Sequence, residues 1–199
     1  MDQFKNIKKN RIFFDRWAKS YDAGLFQFWM RRFYLPVLKE VILTKKSRLL
    51  DISCGTGELL QKWRGKAQLY GGDISEEMLK KAQTKLPEGV TLVKADVHNL
   101  PFKNNYFDYV ITTEAFHHYY DQKIALAEMC RVTKKGGKVI VSDINFFLKP
   151  IHWLFEKVEP GCVKINSKRE MRELFEKNTL KNVRQNRNFI FAVMTTGEK

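Results

Sequence analysis

The chain has 199 residues, of which 44% are hydrophobic and 29% are charged, and its formal net charge is +14. This length suits one globular domain that buries around 70% of its unfolded surface. No apolar run reaches the roughly 18 residues of a transmembrane helix, and the N-terminal residues lack the apolar core of a signal peptide. The three cysteines form no Cys-x-x-Cys pair and have no metal-ligand spacing with the four histidines. We therefore expect a cytoplasmic protein with neither a disulfide framework nor a zinc site.

The positive charge is concentrated towards the two ends of the chain. Residues 1–50 carry 12 Lys or Arg against 4 Asp or Glu, whereas residues 51–159 carry 15 against 14. Basic flanks of this kind can attract an anionic small molecule, a nucleic acid or a membrane surface, or they can serve solubility alone.

The first predicted element is an aromatic-rich helical segment within residues 10–34. Phe14, Trp17 and Tyr21 follow a spacing of i, i+3 and i+7, which predicts a helix with one buried face.

The next segment, residues 49–57, has the sequence LLDISCGTG, in which an apolar strand ends in Asp51 and is followed by Gly55 and Gly57. A glycine-rich turn between a strand and a helix directs backbone N–H groups towards a ligand beyond the strand. Two later predicted strands, residues 68–73 and 91–96, end in Asp73 and Asp96. Asp73 follows Asp51 at close to the roughly 20-residue offset of a carboxylate that binds a ribose diol. These acids predict a small-molecule pocket at the carboxyl ends of parallel strands.

The remaining pattern alternates between strands and helices, which predicts an α/β fold with a Rossmann-like, doubly wound sheet. Ser75 is a predicted helix N-cap, and Ser167 with Glu170 forms a predicted capping box. The predicted helices cover residues 58–63, 75–86, 122–132 and 167–178, with a helix stop at residues 134–137, and the further predicted strands cover residues 106–113, 138–143, 183–188 and 189–195.

Three sequence runs in this order, DISCGTG, GGDISEEMLKKA and KADVHNLPFKNNYFDYVITTEAFHHY, resemble the class I S-adenosylmethionine-dependent methyltransferases. The resemblance covers roughly residues 10–145 and is greatest to the small-molecule group that includes the quinone-biosynthesis C-methyltransferases. It implies S-adenosylmethionine as the cofactor. It also implies a seven-stranded sheet that is mostly parallel, with an antiparallel C-terminal hairpin strand and N-terminal lid helices.

The resemblance further implies a division of this single methyltransferase domain into four parts. Residues 1–45 would form the N-terminal helical lid, and residues 46–144 the cofactor-binding core. An aromatic-rich insertion, residues 145–166, would form part of the substrate wall, and residues 167–199 the C-terminal helix and hairpin.

Several cofactor contacts are implied for the first half of the core. Gly55 and Gly57 would let the backbone approach the methionine and ribose parts, and Asp51 would orient that turn near the cofactor's amino group. Ser53 stands where the family has its first glycine, and we expect it to fit if its backbone keeps an ordinary conformation. Tyr21, in the stretch FDRWAKSYD, would lie against the cofactor.

The other implied contacts follow the second, third and fourth strands. Asp73 would hold the two ribose hydroxyls, and Ile74 and Met78 would enclose the adenine. Asp96 would accept a hydrogen bond from the adenine amino group. The remaining contacts would come from two backbone groups, the N–H of Val97 and the carbonyl of Thr113.

Candidate catalytic residues lie in the run TEAFHHY after the fourth predicted strand, namely His118, His117 and Glu114. A histidine or a carboxylate there could take a proton from a phenol, an enol or an acidic carbon. His152, in the insertion, is a weaker candidate. Packing is the alternative role for each histidine.

We therefore predict methyl transfer from S-adenosylmethionine to a small, partly apolar acceptor that can be anionic. The alternatives are a methyltransferase that acts on RNA or protein through the basic flanks, and a non-catalytic cofactor-binding module. A nicotinamide dehydrogenase is disfavoured because Leu60 stands where its third glycine is required. The sequence leaves open the acceptor atom and the oligomeric state.

Overall fold

The computed structural model describes Ile12, Asp15 and residues 24–86, 88–146 and 148–199. The helices are α1 (Gly24–Glu40), α2 (Glu58–Gln61), α3 (Glu76–Lys85), α4 (Gln122–Val132), α5 (Lys149–Val158) and α6 (Lys168–Lys177), with a 3-10 turn at Phe116–His118. The strands are β1 (Arg48–Ile52), β2 (Gln68–Asp73), β3 (Val90–Lys94), β4 (Phe107–Thr113), β5 (Thr133–Ile144), β6 (Lys181–Phe189) and β7 (Ala192–Glu198). Within the described residues, no helix combines the length and apolar character needed to cross a membrane.

The strands form one seven-stranded sheet in the order β3-β2-β1-β4-β5-β7-β6. Strands β1 to β5 are parallel to one another, and β7 runs antiparallel to both of its neighbours, β5 and β6. This arrangement confirms the predicted fold class, including the antiparallel C-terminal hairpin. The strand order reverses between β1 and β4, where open α/β sheets form a ligand-binding crevice.

Both faces of the sheet are covered by apolar layers because successive strand residues point to opposite faces. Leu49 and Ile111 belong to one layer, and their neighbours Leu50 and Val110 belong to the other. Helix α1 packs into the first layer, where Phe33 is completely buried. Helix α4 packs into the second layer. The carboxyl ends of the central strands are therefore anchored between two apolar layers.

The predicted helix starts are confirmed by their hydrogen bonds. The Ser75 side chain accepts from the Met78 N–H, and Ser167 and Glu170 form both bonds of a capping box. The predicted start of β5 at residue 138 was wrong, because the strand already begins at Thr133. Residue Thr133 pairs with Phe107, and the pairing register then shifts, so residues 134–137 form an irregular part of the strand instead of a separate helix stop.

Candidate functional site

A cavity opens where β1, β2 and β4 end. Eight residues predicted to contact the cofactor line this one cavity, and they come from four separate segments of the chain: Ser53, Gly55, Asp73, Ile74, Met78, Asp96, Val97 and Thr113. The other lining residues are Ala95, His98, Glu114, Ala115, His118, Tyr119 and Tyr120. Asp51 and Gly57 are buried nearby without lining the cavity, and Tyr21 lies outside the described residues.

The turn after β1 is built on left-handed backbone conformations. Gly57 has φ +79°, and a Cβ atom there would lie 2.7 Å from Leu86 Cδ1. Glycine is therefore required for both its conformation and its lack of a side chain. Ser53 also has a positive φ, +57°, so the ordinary backbone conformation on which its fit was made conditional is not present. The turn needs a left-handed residue even where the family's glycine is replaced.

The carboxylate of Asp73 ties this turn to the end of β2. Its Oδ2 accepts from the Gly55 N–H and its Oδ1 from the Ser75 N–H, both at 2.9 Å. Burial raises the pKa of Asp73 to about 6, although these two hydrogen bonds favour the charged form. The pKa of Asp51 is raised well above its ordinary value by burial and by the negative charge of Asp73. The Oδ1 atom of Asp51 is buried and has no hydrogen-bond partner among the described residues.

Asp96 forms a second polar group at the cavity, together with His98. Its Oδ1 accepts from the His98 backbone N–H at 2.9 Å and lies 2.6 Å from His98 Nδ1. Burial alone would raise the pKa of Asp96, but the hydrogen bonds from His98 outweigh it and lower that pKa. His98 Nε2 faces the Asp121 N–H at 3.3 Å, and its ring stacks on Tyr120 at 3.6 Å. Sequence reasoning missed this histidine because only the turn after Asp96 brings it to the cavity.

Tyr119 links two parts of the cavity wall through its hydroxyl. That hydroxyl lies 3.0 Å from Ser53 Oγ and 2.8 Å from Thr112 Oγ1. Burial raises the pKa of Tyr119 well above its ordinary value, so the hydroxyl stays protonated. The contact braces the left-handed Ser53 against the end of β4, and the sequence did not predict it.

Glu114 follows directly after β4 and lines the cavity. Trp29, from α1, donates its Nε1–H to Glu114 Oε1 at 2.7 Å and stacks on Phe191. Burial raises the pKa of Glu114 to about 8. This carboxyl group can therefore exchange a proton near neutral pH.

The two histidines of the 3-10 turn occupy different environments. His117 is completely buried behind the cavity wall, with Nδ1 2.7 Å from Asp143 Oδ1 and Nε2 3.4 Å from Glu159 Oε2. His118 lines the cavity, and its Nε2 lies 3.7 Å from Glu159 Oε1. Burial disfavours a charged His117, but the two carboxylates outweigh it and raise its pKa. Burial and the positive His117 lower the pKa of His118.

The structure thus brings together His117, His118 and Glu159, whose ligand atoms all lie within 4.8 Å of one another. The sequence spacing had predicted no metal site from the histidines. Glu159 and Asp143 were also missed, because they are distant from the histidines along the chain and no local pattern connects them.

The insertion, residues 145–166, reaches this region through its final loop. The N–H of Val163 donates to the His117 carbonyl at 2.8 Å. No described residue of the insertion lines the main cavity, although Val163, Lys164 and Asn166 line a neighbouring depression that begins at Tyr119. The predicted candidate His152 lies on α5, where its Nε2 is 2.8 Å from the Phe146 carbonyl. It is not among the cavity-lining residues.

One described residue of the N-terminal stretch also lies near the cavity. The Ser75 hydroxyl donates to Asp15 Oδ1 at 2.5 Å. Ser75 directly follows Asp73 and Ile74, which line the cavity. Asp15 belongs to the stretch FDRWAKSYD, which was predicted to pack across the cofactor.

Comparison with known proteins identifies a methyltransferase domain over residues 50–141. The chain is 35% identical over 148 residues to demethylmenaquinone methyltransferases from several Staphylococcus aureus strains. This alignment covers 71% of the chain but only 58% of the relative, so the chain matches somewhat more than half of that protein's length.

Solved structures share the fold over nearly the whole chain. A Haloferax volcanii protein solved with the methyltransferase activator Trm112 has a TM-score of 0.80 at 22% identity, covering 93% of this chain and 96% of its own. A S-adenosylmethionine-dependent methyltransferase from Thermotoga maritima has a TM-score of 0.73 at 24% identity, covering 94% and 98%. Residues 50–141 therefore form a methyltransferase domain, the solved structures share its fold, and the chain is similar to the quinone-biosynthesis methyltransferases.

Proposed function

We propose that the chain binds S-adenosylmethionine in the cavity and transfers its methyl group to a small, partly apolar acceptor. The observation that carries this proposal is the convergence of eight predicted cofactor residues on one cavity. These residues were identified from separate sequence runs, and their convergence depends on the strand order.

The two carboxylates of the cavity suit the two polar ends of an adenosine. Asp73 ends β2, and Asp96 follows the neighbouring strand β3. Both hydrogen bonds that His98 makes to the Asp96 carboxylate go to Oδ1, so Oδ2 can accept from an adenine amino group. Ile74 and Met78 supply apolar surface between them, and Asp73 can accept from the ribose hydroxyls while it holds the turn after β1.

Asp51 suits the opposite end of the cofactor. Its buried Oδ1 has no partner among the described residues, and the positive amino group of the methionine part, reached through a water molecule, would favour the charged form of this carboxyl group. The contacts of Val97 and Thr113 through backbone atoms are part of the same proposal. Asp15, which bonds to Ser75, supports placing the N-terminal stretch beside this cofactor.

The acceptor that we propose is a reduced, hydroxylated aromatic ring, because the relative is named for methylation of demethylmenaquinone. Bound S-adenosylmethionine would supply an activated methyl group, which a ring carbon next to a hydroxyl would take up with loss of S-adenosylhomocysteine, and the ring would then lose its C–H proton. Glu114 is the residue that we assign to take this proton, because it lines the cavity and its pKa is about 8. Such in-line transfer depends mainly on positioning and on the exclusion of water.

The assignment of the histidines follows from their positions. His118 lines the cavity, where it can orient the acceptor. His117 is completely buried behind the cavity wall and does not contact the acceptor in this proposal. The division into a lid of residues 1–45, a core of residues 46–144, an insertion of residues 145–166 and a C-terminal part of residues 167–199 remains a proposal, as does a cytoplasmic location.

The first experiment measures binding and transfer separately. Calorimetry with S-adenosylhomocysteine tests the cofactor site, and methyl-labelled S-adenosylmethionine is then supplied with a short-chain demethylnaphthoquinol or with total RNA. We expect label in the organic-soluble product. Label in RNA would contradict the small-molecule proposal, and absence of cofactor binding would contradict the whole assignment.

The role of Glu114 is tested with Glu114→Gln. We expect turnover to fall by roughly 100-fold or more, within the usual range for loss of a general base, while cofactor affinity stays unchanged. Glu40→Gln is the control, because Glu40 pairs with Lys138 away from the cavity. Equal turnover in the two variants would remove Glu114 from the mechanism.

A further inference from the structure

The cluster of His117, His118 and Glu159 has the chemical composition of a transition-metal site. Two imidazole nitrogens and one carboxylate oxygen form the donor set of many catalytic zinc centres, in which a fourth position stays open. The three ligand atoms lie within 4.8 Å of one another, and the two histidines are buried. They come from the turn after β4 and from the end of α5, so the tertiary structure assembles the set.

The distances within the cluster agree with a shared metal ion. Two ligand atoms that are each about 2.0–2.1 Å from a tetrahedral zinc ion lie about 3.4 Å apart. Nε2 of His117 is 3.4 Å from Glu159 Oε2, and Nε2 of His118 is 3.7 Å from Glu159 Oε1. The first separation is long for a charge-assisted hydrogen bond, which is normally about 2.7–2.9 Å.

A second observation concerns the polar atoms of this cluster. The buried Nε2 of His117 and the buried Oε2 of Glu159 have no hydrogen-bond partner among the described residues. Buried polar atoms are normally satisfied, so two such atoms that face each other indicate a missing ligand between them.

Asp143 orients His117 as an outer-shell carboxylate does in metal centres. Its Oδ1 lies 2.7 Å from His117 Nδ1, on the side of the ring away from Glu159. If Nδ1 donates its proton to Asp143, Nε2 becomes the metal-binding atom, which is the arrangement of carboxylate–histidine–zinc sites. The described residues place no Lys or Arg within ion-pair distance of Asp143 or Glu159, so a divalent cation would balance the charges of the buried Asp143 and the partly buried Glu159.

The backbone holds this arrangement in place. The N–H groups of Val163 and Lys164 both donate to the His117 carbonyl, at 2.8 and 3.2 Å. The loop that carries Glu159 is therefore docked on the turn that carries the two histidines. The backbone contacts therefore hold the three ligand residues close together before a metal ion binds.

We propose that His117, His118 and Glu159 bind one Zn²⁺ ion, with Asp143 as the outer-shell partner of His117. Because His118 also lines the cavity, the ion lies at the cavity wall. An oxygen of the methyl acceptor can take the remaining coordination position and become more acidic there. This use of the ion rests on the proposed function, whereas zinc binding does not.

The experiment measures zinc binding to the whole chain, without cofactor or acceptor. The purified protein is stripped with a chelator, and Zn²⁺ is titrated by calorimetry while bound metal is counted by elemental analysis. We expect one ion per chain. Glu159→Gln should weaken binding by at least about 100-fold, and Asp143→Asn by about 10- to 100-fold. His152→Gln should bind as the wild type does, because this histidine lies outside the cluster.

Cobalt substitution gives a readout that does not depend on the variants. We expect Co²⁺ in the stripped wild-type protein to show the intense visible bands of a tetrahedral site with nitrogen and oxygen ligands. A thiolate charge-transfer band would place the metal on a cysteine and overturn the proposal. Failure of the wild type to bind zinc, or equal affinity of Glu159→Gln and His152→Gln, would also overturn it and leave a protonated His117 between two carboxylates. Zinc binding without methyl transfer would support the site and contradict only the proposed function.

Discussion

Replacing Asp73 by asparagine separates the observed role of this carboxylate, which is to hold the turn after β1, from its proposed role in binding the cofactor. The carboxylate accepts from the N–H groups of Gly55 and Ser75. An asparagine side chain offers one carbonyl oxygen, so one of these two N–H groups loses its acceptor. Leaving a buried donor unsatisfied costs about 1–3 kcal/mol.

The charge has an opposite effect on stability. Raising the pKa of a carboxyl group from 3.8 to about 6 corresponds to about 3 kcal/mol of lost stability when the group is ionised. Since the pKa is higher in the folded chain than in the unfolded chain, this cost is absent below about pH 4 and complete above about pH 6. Asp73→Asn removes this cost, so at pH 7 we expect the net change in the free energy of unfolding to be within about 2 kcal/mol.

Cofactor affinity should change much more clearly. We expect S-adenosylhomocysteine to bind Asp73→Asn about 10- to 150-fold more weakly at pH 7, because hydrogen bonds to a charged group contribute about 1.5–3 kcal/mol. In the wild type, affinity should rise between pH 5 and 7 as Asp73 ionises, by about tenfold. In Asp73→Asn this part of the pH dependence should be absent.

The assay is calorimetry at pH 5, 6, 7 and 8, with urea unfolding at the same pH values. Asp108→Asn is a matched control, because Asp108 also accepts from a backbone N–H, that of Arg48, but does not line the cavity. Its cofactor affinity should equal that of the wild type. An unchanged dissociation constant for Asp73→Asn, or the same pH profile with and without the carboxylate, would refute the reasoning.

Three further changes test the structure around the site. Gly57→Ala should lower the free energy of unfolding by about 2–4 kcal/mol in urea titrations, because Gly57 has a φ of +79° and an added Cβ would contact Leu86. Gly65→Ala, at a φ of +69° with no atom within 4 Å of the added Cβ, should lower it by only about 1–2 kcal/mol. Equal losses in the two variants would contradict the packing argument. Tyr119→Phe removes the hydroxyl between Ser53 and Thr112, so we expect a loss of about 1–2 kcal/mol of stability and weaker cofactor binding by calorimetry, whereas full wild-type affinity would show that this brace is unnecessary. Arg131→Lys should lower the free energy of unfolding by about 1–3 kcal/mol and leave cofactor affinity unchanged. The Arg131 guanidinium binds Glu128 and two loop carbonyls in a geometry that lysine cannot reproduce. A free energy of unfolding equal to that of the wild type would contradict this reasoning.

The fold and the position of the cavity could be predicted because their signals are local. Asp73 ends its apolar strand, Asp96 follows the next one closely, and the glycines lie a few residues after Asp51. In a parallel sheet all strands point the same way, so residues that end them meet at one edge wherever they occur in the chain. The helix starts at Ser75 and Ser167 were predictable for the same reason, since a cap bonds to residues only three positions away.

The backbone conformation of Ser53 and the start of β5 required the structure. A serine in a turn does not reveal a left-handed φ, and here Tyr119, 66 positions away, braces it. The pairing of Thr133 with Phe107 extends β5 beyond the segment that its apolar pattern marks. Both features depend on partners from distant parts of the chain.

The same is true of the group behind the cavity. The pair His117 and His118 is visible in the sequence, but its partners Asp143 and Glu159 follow a further strand and a further helix. No periodicity or capping rule connects these positions, because their contact arises only when β5 pairs with β4 and the loop after α5 docks on the histidine turn. Local chemistry thus defined the position of the cavity, whereas long-range packing decided which charged groups surround the histidines of the 3-10 turn.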